Sequence, residues 1–469
     1  MDQSITQGSE EFSGHNFINN IFVQPKSGKV YERTNPVDGS KIGVFADSSP
    51  QDAEMAITAA AEAFKSWSKT SYDFRADLLV KLSKSMAKHV DEIAQAMTNE
   101  VGKVITESIF EAKTSSNVLV WFAYETKRVH GQFLNVRGKK KLLVNHKPHG
   151  VVVLITMYHA PLCSIIASLG ALLGAGCTVV IKPSPEVPLS AIKVAMAGFP
   201  PGVVNVVTAD FASTPALGSL LCTHPQVRHV SFTGSMDVGK VYPNMNKANY
   251  GKNSLNYETM HNDDEWECTS NRCCDSPNRI FVQKDVHDEF IRILIERLSA
   301  VKVGHPMDES SILSCLVDQS RFDRVVKIVE LTIKQGGKLA YQGDKVSQCG
   351  PYYYPLTVLT ECKTSMDIAQ FEIFGPVFAI YKFEHEAEVF LQMNEGPYGL
   401  ASYVYSEEID QVLRTIEEME CGLVFVNDIH PFEHRLPFSG MKQSGIGSEM
   451  GPRSIYRFLD EQSVIINHE

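Results

Sequence analysis

The sequence predicts an α/β protein of the doubly wound class, in which helices cover both faces of a parallel sheet. Apolar runs without polar alternation, typical of strands buried on both faces, alternate with amphipathic helical segments along the chain. With 43% hydrophobic and 21% charged residues, the composition is that of a globular protein. At 469 residues, the length suits about two to four domains.

The predicted elements follow one another in this alternating order. A capped helix begins at Ser49-Pro50-Gln51-Asp52 and runs to Trp67. A second helix is predicted over 78–97, where apolar residues recur every three or four positions and so lie on one face. A strand, a helix and a strand follow at about 150–156, 161–173 and 177–182. Further strands are predicted at 203–207, 229–233, 279–283, 376–382, 402–405 and 423–427, with helices at about 286–300, 320–335 and 408–419.

One stretch, 157–181, has no Lys, Arg, Asp or Glu and is long enough to span a membrane. Pro161 and the break at Gly174-Ala175-Gly176 divide it into shorter elements, so we expect no membrane span. The charge balance of 44 basic against 55 acidic residues, a net −11, argues against a nucleic-acid partner. Ten cysteines without framework spacing and a start without presequence features predict a reduced, cytoplasmic location.

Three segments indicate a ligand site at the carboxyl ends of the strands. The first, at 230–240, is a buried strand that leads through Gly234-Ser235 into a helix, a turn that points backbone N–H groups at phosphate. The second places Lys182 at the end of a parallel strand, where α/β sheets bind ligands. The third places Glu372 among aromatic residues before a strand, where it could equally be a satisfied edge residue.

On its motifs the chain resembles the aldehyde dehydrogenase superfamily from about residue 20 to the end. The matching segments lie at 176–184, 202–207, 231–235 with Gly239, 372–376 and 437–445. Within the superfamily, Asn278-Arg279-Ile280-Phe281-Val282-Gln283 and Met441-Lys442-Gln443-Ser444-Gly445 look closest to the succinate-semialdehyde dehydrogenase branch.

The resemblance implies an architecture and a set of binding partners. It implies a Rossmann-type NAD(P)-binding domain at 20–130 and 149–253, an α/β catalytic domain at 254–435, and an oligomerisation arm at 131–148 and 455–469. It also implies NAD or NADP as cofactor, a small aldehyde as substrate, and a homodimer or homotetramer. The implied cofactor-binding residues are Thr156, Tyr158, Lys182, Ser184, Gly234, Ser235, Val238, Gly239, Glu372 and Phe374.

The implied reaction is oxidation of an aldehyde to a carboxylic acid through a cysteine thiohemiacetal. The family's nucleophile maps onto Cys274. A cysteine suits this role because a thiolate is a good acyl carrier once its pKa is lowered. His159 stands where the family has its oxyanion-binding asparagine, and its N–H can donate to the oxyanion. We expect no metal, because a zinc set of His261, Cys268, Cys273 and Cys274 would need adjacent cysteines on one ion and fits no common spacing.

The chain departs from the family pattern at positions that carry the catalytic residues. Asn271-Arg272 replaces a Gly-Gln before the nucleophile, and Asn256 stands where the deacylation glutamate should follow Ser254-Leu255, which leaves Glu258 as the nearby substitute. The segment 254–274 is shorter than in the family, and 256–270 is polar where a buried strand and helix are expected. Part of the catalytic domain is therefore predicted to be absent or rewired. Two explanations compete: the chain is a diverged or inactive member of the family, or the written sequence is locally wrong.

Substrate and cofactor preference stay open at this stage. Ala167 and Ser168 occupy the positions where the semialdehyde branch places basic residues, so an apolar or aromatic aldehyde fits as well as succinate semialdehyde. Pro185 replaces the acid that binds the adenosine ribose, with Glu186 one residue later, so NADP+ is as compatible as NAD+. Two alternatives to the dehydrogenase are a catalytically impaired homologue acting as a scaffold or dinucleotide-binding subunit, and an esterase-like acyl transferase.

Overall fold

The computed structural model describes residues 14–136, 140–196, 198–241, 248–249, 253–257, 273–428 and 433–467. The strands are β1 (Asn16–Ile18), β2 (Ile21–Val23), β3 (Val30–Thr34), β4 (Lys41–Ala46), β5 (Gln132–Leu134), β6 (Lys140–Pro148), β7 (Val151–Ile155), β8 (Thr178–Lys182), β9 (Val204–Val206), β10 (Val227–Thr233), β11 (Ala248–Asn249), β12 (Asn253–Tyr257), β13 (Pro277–Gln283), β14 (Lys338–Gln342), β15 (Thr357–Thr360), β16 (Val377–Phe383), β17 (Ala401–Tyr405), β18 (Leu423–Val426), β19 (Phe438–Ser439), β20 (Ser448–Glu449) and β21 (Leu459–Asn467). The helices are α1 (Pro50–Trp67), α2 (Tyr72–Lys88), α3 (Val90–Val101), α4 (Ile105–Thr126), α5 (Pro161–Ala175), α6 (Pro188–Ala195), α7 (Thr214–Thr223), α8 (Met236–Val241), α9 (His287–Ala300), α10 (Gln319–Lys334), α11 (Asp367–Gln370), α12 (Glu386–Met393) and α13 (Ile409–Glu418).

The first large sheet has the strand order β11-β10-β7-β8-β9-β1-β2. Its strands from β11 to β9 are parallel, and β1 joins β9 in the antiparallel direction. Val152 and Leu154 of β7 pack into one apolar cluster and Val151 and Val153 into another, so both faces of the sheet are buried. β1, which begins at Asn16, is part of this sheet, and the predicted domain bounds stay a prediction.

The second large sheet has the order β14-β15-β16-β13-β12-β17-β18, and its pairs are parallel except for β14 with β15. β12 overlaps the start of the polar segment 256–270, where part of the catalytic domain was predicted to be absent or rewired. Its backbone pairs in parallel with β13 on one side and β17 on the other. The strand position in the sheet is therefore filled despite the polar sequence.

A third, antiparallel sheet has the order β21-β6-β5. β21 pairs with β6 along its whole length, from Leu459 opposite Pro148 to Asn467 opposite Lys140. Apolar side chains on this sheet, including Phe133 and Ile465, are exposed. These strands belong to the segments predicted as an oligomerisation arm, and that role stays a prediction.

The predicted strand–helix–strand unit at 150–182 is confirmed as β7, α5 and β8. α5 ends at Gly176, whose φ of 98° lies in the left-handed region that favours glycine, and the chain turns there into β8. The uncharged stretch is thus divided as expected. Among the described residues, no helix combines the length and apolarity needed to cross a bilayer.

Two buried carboxylates hold the N-termini of α5 and α6. Neither helix has a side-chain cap of its own. Glu111 of α4 accepts hydrogen bonds from the backbone N–H groups of Leu162 (2.7 Å) and Cys163 (2.8 Å). Glu100 of α3 accepts in the same way from Leu189 (2.6 Å) and Ser190 (3.1 Å). Distant acids therefore satisfy helix-end donors that the local sequence leaves open.

The Glu100 cap predicts a pH dependence of stability. Burial raises the pKa of Glu100 from 4.5 to about 7, against the hydrogen bonds it accepts. A raised folded-state pKa means that this group's stabilisation is complete below pH 4.5 and is lost as the pH rises through 7. From pH 5 to pH 8 we expect Glu100 to lower the free energy of unfolding by about 2 to 3 kcal/mol.

Urea unfolding of the wild type and Glu100→Gln at both pH values measures this difference. The variant should lack that part of the pH dependence. Glu92→Gln, at an exposed site on the same helix, should behave as the wild type does. Parallel pH profiles for the wild type and Glu100→Gln would contradict the assignment.

Candidate active site

A cavity of about 700 Å³ lies at the carboxyl ends of β7, β8 and β10, beside α10 and the segments around Cys274 and Glu372. A cavity of this size and position is typical of ligand sites in α/β proteins. The predicted site residues that line it are Thr156, Tyr158, His159, Lys182, Ser184, Gly234, Ser235, Val238, Cys274, Glu372 and Phe374. Glu258 lies outside the described residues, as do His261 and Cys268 of the disfavoured zinc set.

The turn after β10 brings Gly234, Ser235 and Val238 to the cavity wall. A Cβ atom at Gly234 would lie 2.7 Å from the ring of Phe232, so the turn requires glycine at this position. Gly239 does not line the cavity; its N–H donates to the carbonyl of Ser235 (3.1 Å) inside α8. The predicted cofactor role of Gly239 stays a prediction.

Cys273 and Cys274 both line the cavity from a tight turn that precedes β13. In this turn the N–H of Ser276 donates to the carbonyl of Cys273 (3.1 Å). Cys273 lowers the pKa of Cys274 through a hydrogen bond, but burial and the carboxylates of Asp275 and Glu372 outweigh it and raise that pKa above 9.0. On balance the groups around Cys274 therefore raise the pKa of its thiol.

The His159 imidazole lies against aromatic rings at the same end of the cavity. Its ring centroid is 4.9 Å from that of Phe374 and 5.8 Å from that of Tyr158. Burial lowers the pKa of His159 to about 4, so the imidazole is neutral at physiological pH and carries one N–H donor. Its Nε2 atom is buried and has no hydrogen-bond partner among the described residues.

Phe374 adopts a backbone conformation that non-glycine residues rarely take. Its φ is 53°, in the left-handed region. The residue lies two positions after Glu372, whose backbone carbonyl accepts a hydrogen bond from the Arg324 guanidinium (2.6 Å). A strained backbone of this kind persists where the surrounding structure holds it in place, and here it positions the Phe374 ring beside His159.

At the other end of the cavity, β8 presents a buried cation. Lys182 is 2% exposed, and burial lowers its pKa to about 8. The nearby Glu186 carboxylate is paired with Arg321 of α10 (2.8 Å) and with the Ser184 hydroxyl. The Arg321 guanidinium also lies over the Tyr158 ring, 4.9 Å from its centroid. Arg321 thus ties α10 to the loop after β8.

Sequence reasoning missed several polar residues that line the cavity. Glu449 is 5% exposed and accepts a hydrogen bond from the Ser168 hydroxyl (3.0 Å). Asp275 and Arg321 also line the cavity. Glu449 follows the motif at 437–445 by four residues, and this proximity was the available signal. Arg321 carried none, because it looks like an ordinary charged residue in the first turn of a helix.

The profile of the Aldehyde dehydrogenase family matches residues 22–257 and 267–464. The chain belongs to the aldehyde dehydrogenase family. The matched ranges leave out 258–266, a segment that begins with Glu258. The predicted resemblance is confirmed over nearly the whole chain.

Similar proteins place this aldehyde dehydrogenase near the succinate-semialdehyde branch. Succinate-semialdehyde dehydrogenase [NADP(+)] 2 of Schizosaccharomyces pombe is 33% identical over 474 residues, which cover 96% of each chain. The 3-sulfolactaldehyde dehydrogenase of Pseudomonas putida is 31% identical over 471 residues, again 96% of each chain. A solved E. coli NADP-dependent enzyme superposes with a TM-score of 0.92 at 28% identity, over 98% of this chain and 100% of its own.

The raised pKa of Cys274 predicts its reactivity. We expect iodoacetamide to alkylate Cys274 more slowly at pH 7 than it alkylates a free cysteine peptide, with a rate that rises above pH 9, because the thiolate is the nucleophile. Cys273→Ala should slow the reaction further by removing the hydrogen bond that lowers the pKa of Cys274. Peptide mass spectrometry measures the rates. A rate that already reaches its plateau below pH 8 would show a resting thiolate instead.

Proposed function

We propose that this aldehyde dehydrogenase oxidises an aldehyde to a carboxylic acid, with Cys274 as nucleophile and NAD+ or NADP+ as hydride acceptor. The observation that carries the proposal is the shared cavity: Cys274 and His159, at the family's nucleophile and oxyanion positions, open into the space lined by the cofactor residues. Two relatives support the proposal by their names: both are named as dehydrogenases of an aldehyde, and one name also specifies NADP(+).

The residues at the β8 end fit a dinucleotide. Lys182 is a buried cation whose acidic neighbour, Glu186, is engaged by Arg321, and such a cation favours hydroxyl or phosphate oxygens. Thr156 Oγ1 is buried and lacks a hydrogen-bond partner among the described residues. In this proposal, Lys182 and Ser184 bind the adenosine ribose. The cofactor supplies the hydride acceptor.

Glu372, Phe374 and the Gly234-Ser235 turn complete the proposed cofactor site. Glu372 binds the nicotinamide ribose, and the turn lies along the phosphates. With Pro185 in place of an acid, no carboxylate at that position repels a 2′-phosphate, so the site accepts either NAD+ or NADP+.

The chemical steps follow from the side chains at the thiol end. Cys274 releases its proton to solvent water as its sulfur bonds to the carbonyl carbon, and the C=O π electrons move onto the carbonyl oxygen, which becomes anionic. The neutral imidazole of His159 donates its N–H to that oxygen, which stabilises the negative charge. Loss of hydride leaves a thioester on Cys274. Water then attacks the thioester carbon, the C–S bond breaks, and the acid leaves.

Water activation is assigned to Glu258. Asn256, on β12, carries an amide that cannot take up a proton at neutral pH, so the family's base is degraded in this chain. Glu258 is the next residue but one in the sequence. In this proposal its carboxylate takes over the role of the missing glutamate.

The substrate is proposed to carry an uncharged tail. The face of α5 that lines the cavity presents Cys163, Ser164 and Ala167, none of which is a cation. Glu449 lines the same cavity, and an anionic tail would face its carboxylate. Aliphatic or aromatic aldehydes are therefore preferred over succinate semialdehyde.

Turnover of purified protein on a panel of aldehydes tests the proposal. NAD(P)H formation should be detected with aliphatic or aromatic aldehydes, and Cys274→Ser should lower it at least about a thousandfold, since the nucleophile is lost. Cys222→Ser, in the core under α7, should stay within about twofold of the wild type. Turnover that survives in Cys274→Ser, or its absence in wild type that binds dinucleotide, would contradict the proposal.

The Glu258 assignment is tested by pre-steady-state kinetics. Glu258→Gln should release about one NAD(P)H per active site in a burst, followed by a steady-state rate about 10² to 10⁴ times slower, because the thioester forms but is not hydrolysed. Glu449→Gln is the comparison among the cavity carboxylates. A burst in Glu449→Gln with normal turnover in Glu258→Gln would move the base to Glu449.

A further inference from the structure

Three metal-binding side chains meet at the thiol end of the cavity. They are His159, after β7, and Cys273 and Cys274, in the turn before β13. One ligand atom from each residue lies within 4.8 Å of the other two. We propose that these three residues bind a Zn²⁺ ion, with the fourth coordination position open to the cavity.

The geometry answers the main objection to adjacent cysteines as ligands. On an extended strand, neighbouring side chains point to opposite faces, which would separate the two sulfurs. Here the turn that the Ser276 N–H closes onto the Cys273 carbonyl (3.1 Å) lets both cysteines line the same cavity. A tetrahedral ion with ordinary Zn–S and Zn–N bonds needs ligand atoms about 3.5 to 3.8 Å apart, so small side-chain movements complete the site.

The donor set suits zinc. Two cysteines and one histidine with an open fourth position are a known zinc ligand combination. His159 Nε2 is buried without a hydrogen-bond partner among the described residues, and a metal ion would satisfy it. Two thiolates neutralise the charge of Zn²⁺, so the complex adds no net charge to a partly buried site. Binding releases the two thiol protons to solvent.

Zinc binding would regulate the reaction. The ion coordinates the sulfur of Cys274 and withholds its electron pair from the aldehyde carbon, so zinc is a reversible inhibitor. This consequence rests on the proposed function, whereas binding of the ion does not. His159 gives the chain a ligand that the family's asparagine would not supply.

Binding is measured on the full chain without reference to activity. Titration with Zn²⁺ against a competing chelator should show one site, and Co²⁺ should give a thiolate-to-metal charge-transfer band. His159→Asn and Cys273→Ser should each weaken binding at least about tenfold. Cys163→Ser removes a cavity thiol outside the cluster and should leave the affinity within about twofold. Thermal unfolding of each variant without metal checks that it is folded.

The outcomes separate the metal site from the catalytic role. A missing one-to-one site, or an affinity unchanged in folded His159→Asn and Cys273→Ser, overturns the inference. Tight binding lost in both variants supports it even where no aldehyde is turned over, a result that would defeat the proposed function alone. In an active enzyme, inhibition by Zn²⁺ that EDTA reverses supports the regulatory role, and turnover unaffected by saturating Zn²⁺ overturns it.

Discussion

The cavity depends on two buried carboxylates that bind helix N-termini from far away in the sequence. α5 follows the loop that carries His159, α6 follows the loop after Lys182 at the end of β8, and neither helix has its own side-chain cap. Glu111 and Glu100 supply the missing acceptors from α4 and α3. Glu111 is itself paired with buried Lys103, so its charge is compensated where it would otherwise be costly. The helix ends, and with them the two loops, are thereby fixed relative to α3 and α4.

The sequence predicted most of the fold because its strands are buried on both faces and read as continuous apolar runs. β7, β8 and β13 are of this kind. β12 could not be predicted in this way, because its polar sequence contains no continuous apolar run. Its place is set by hydrogen bonding to a neighbour on each side, and strand formation by tertiary pairing of this kind is not encoded in local propensity.

Only the site residues that lie in recognisable sequence motifs could be predicted. Lys182, Glu372 and Cys274 stand in segments whose spacing identified them, and they line one cavity. The environment of each group was not predictable, because it comes from residues distant in sequence. The Cys274 thiol is an example: a hydrogen bond from Cys273 lowers its pKa, but burial in the folded protein raises it, and the carboxylates of Asp275 and the distant Glu372 raise it further.

Charge is distributed unequally along the cavity, and this asymmetry sets which ligand atoms each end can hold. Lys182 and Arg321 lie at the β8 end and Arg324 lies beside Glu372, while Asp275 and Glu449 are acids that also line the cavity. In the proposed cofactor site, the negative phosphates of a dinucleotide favour the cationic residues. Burial and the acids near Cys274 raise the pKa of its thiol, and these acids disfavour an anion and favour a cation. The same electrostatics that suit an uncharged aldehyde therefore also suit a metal ion on His159, Cys273 and Cys274.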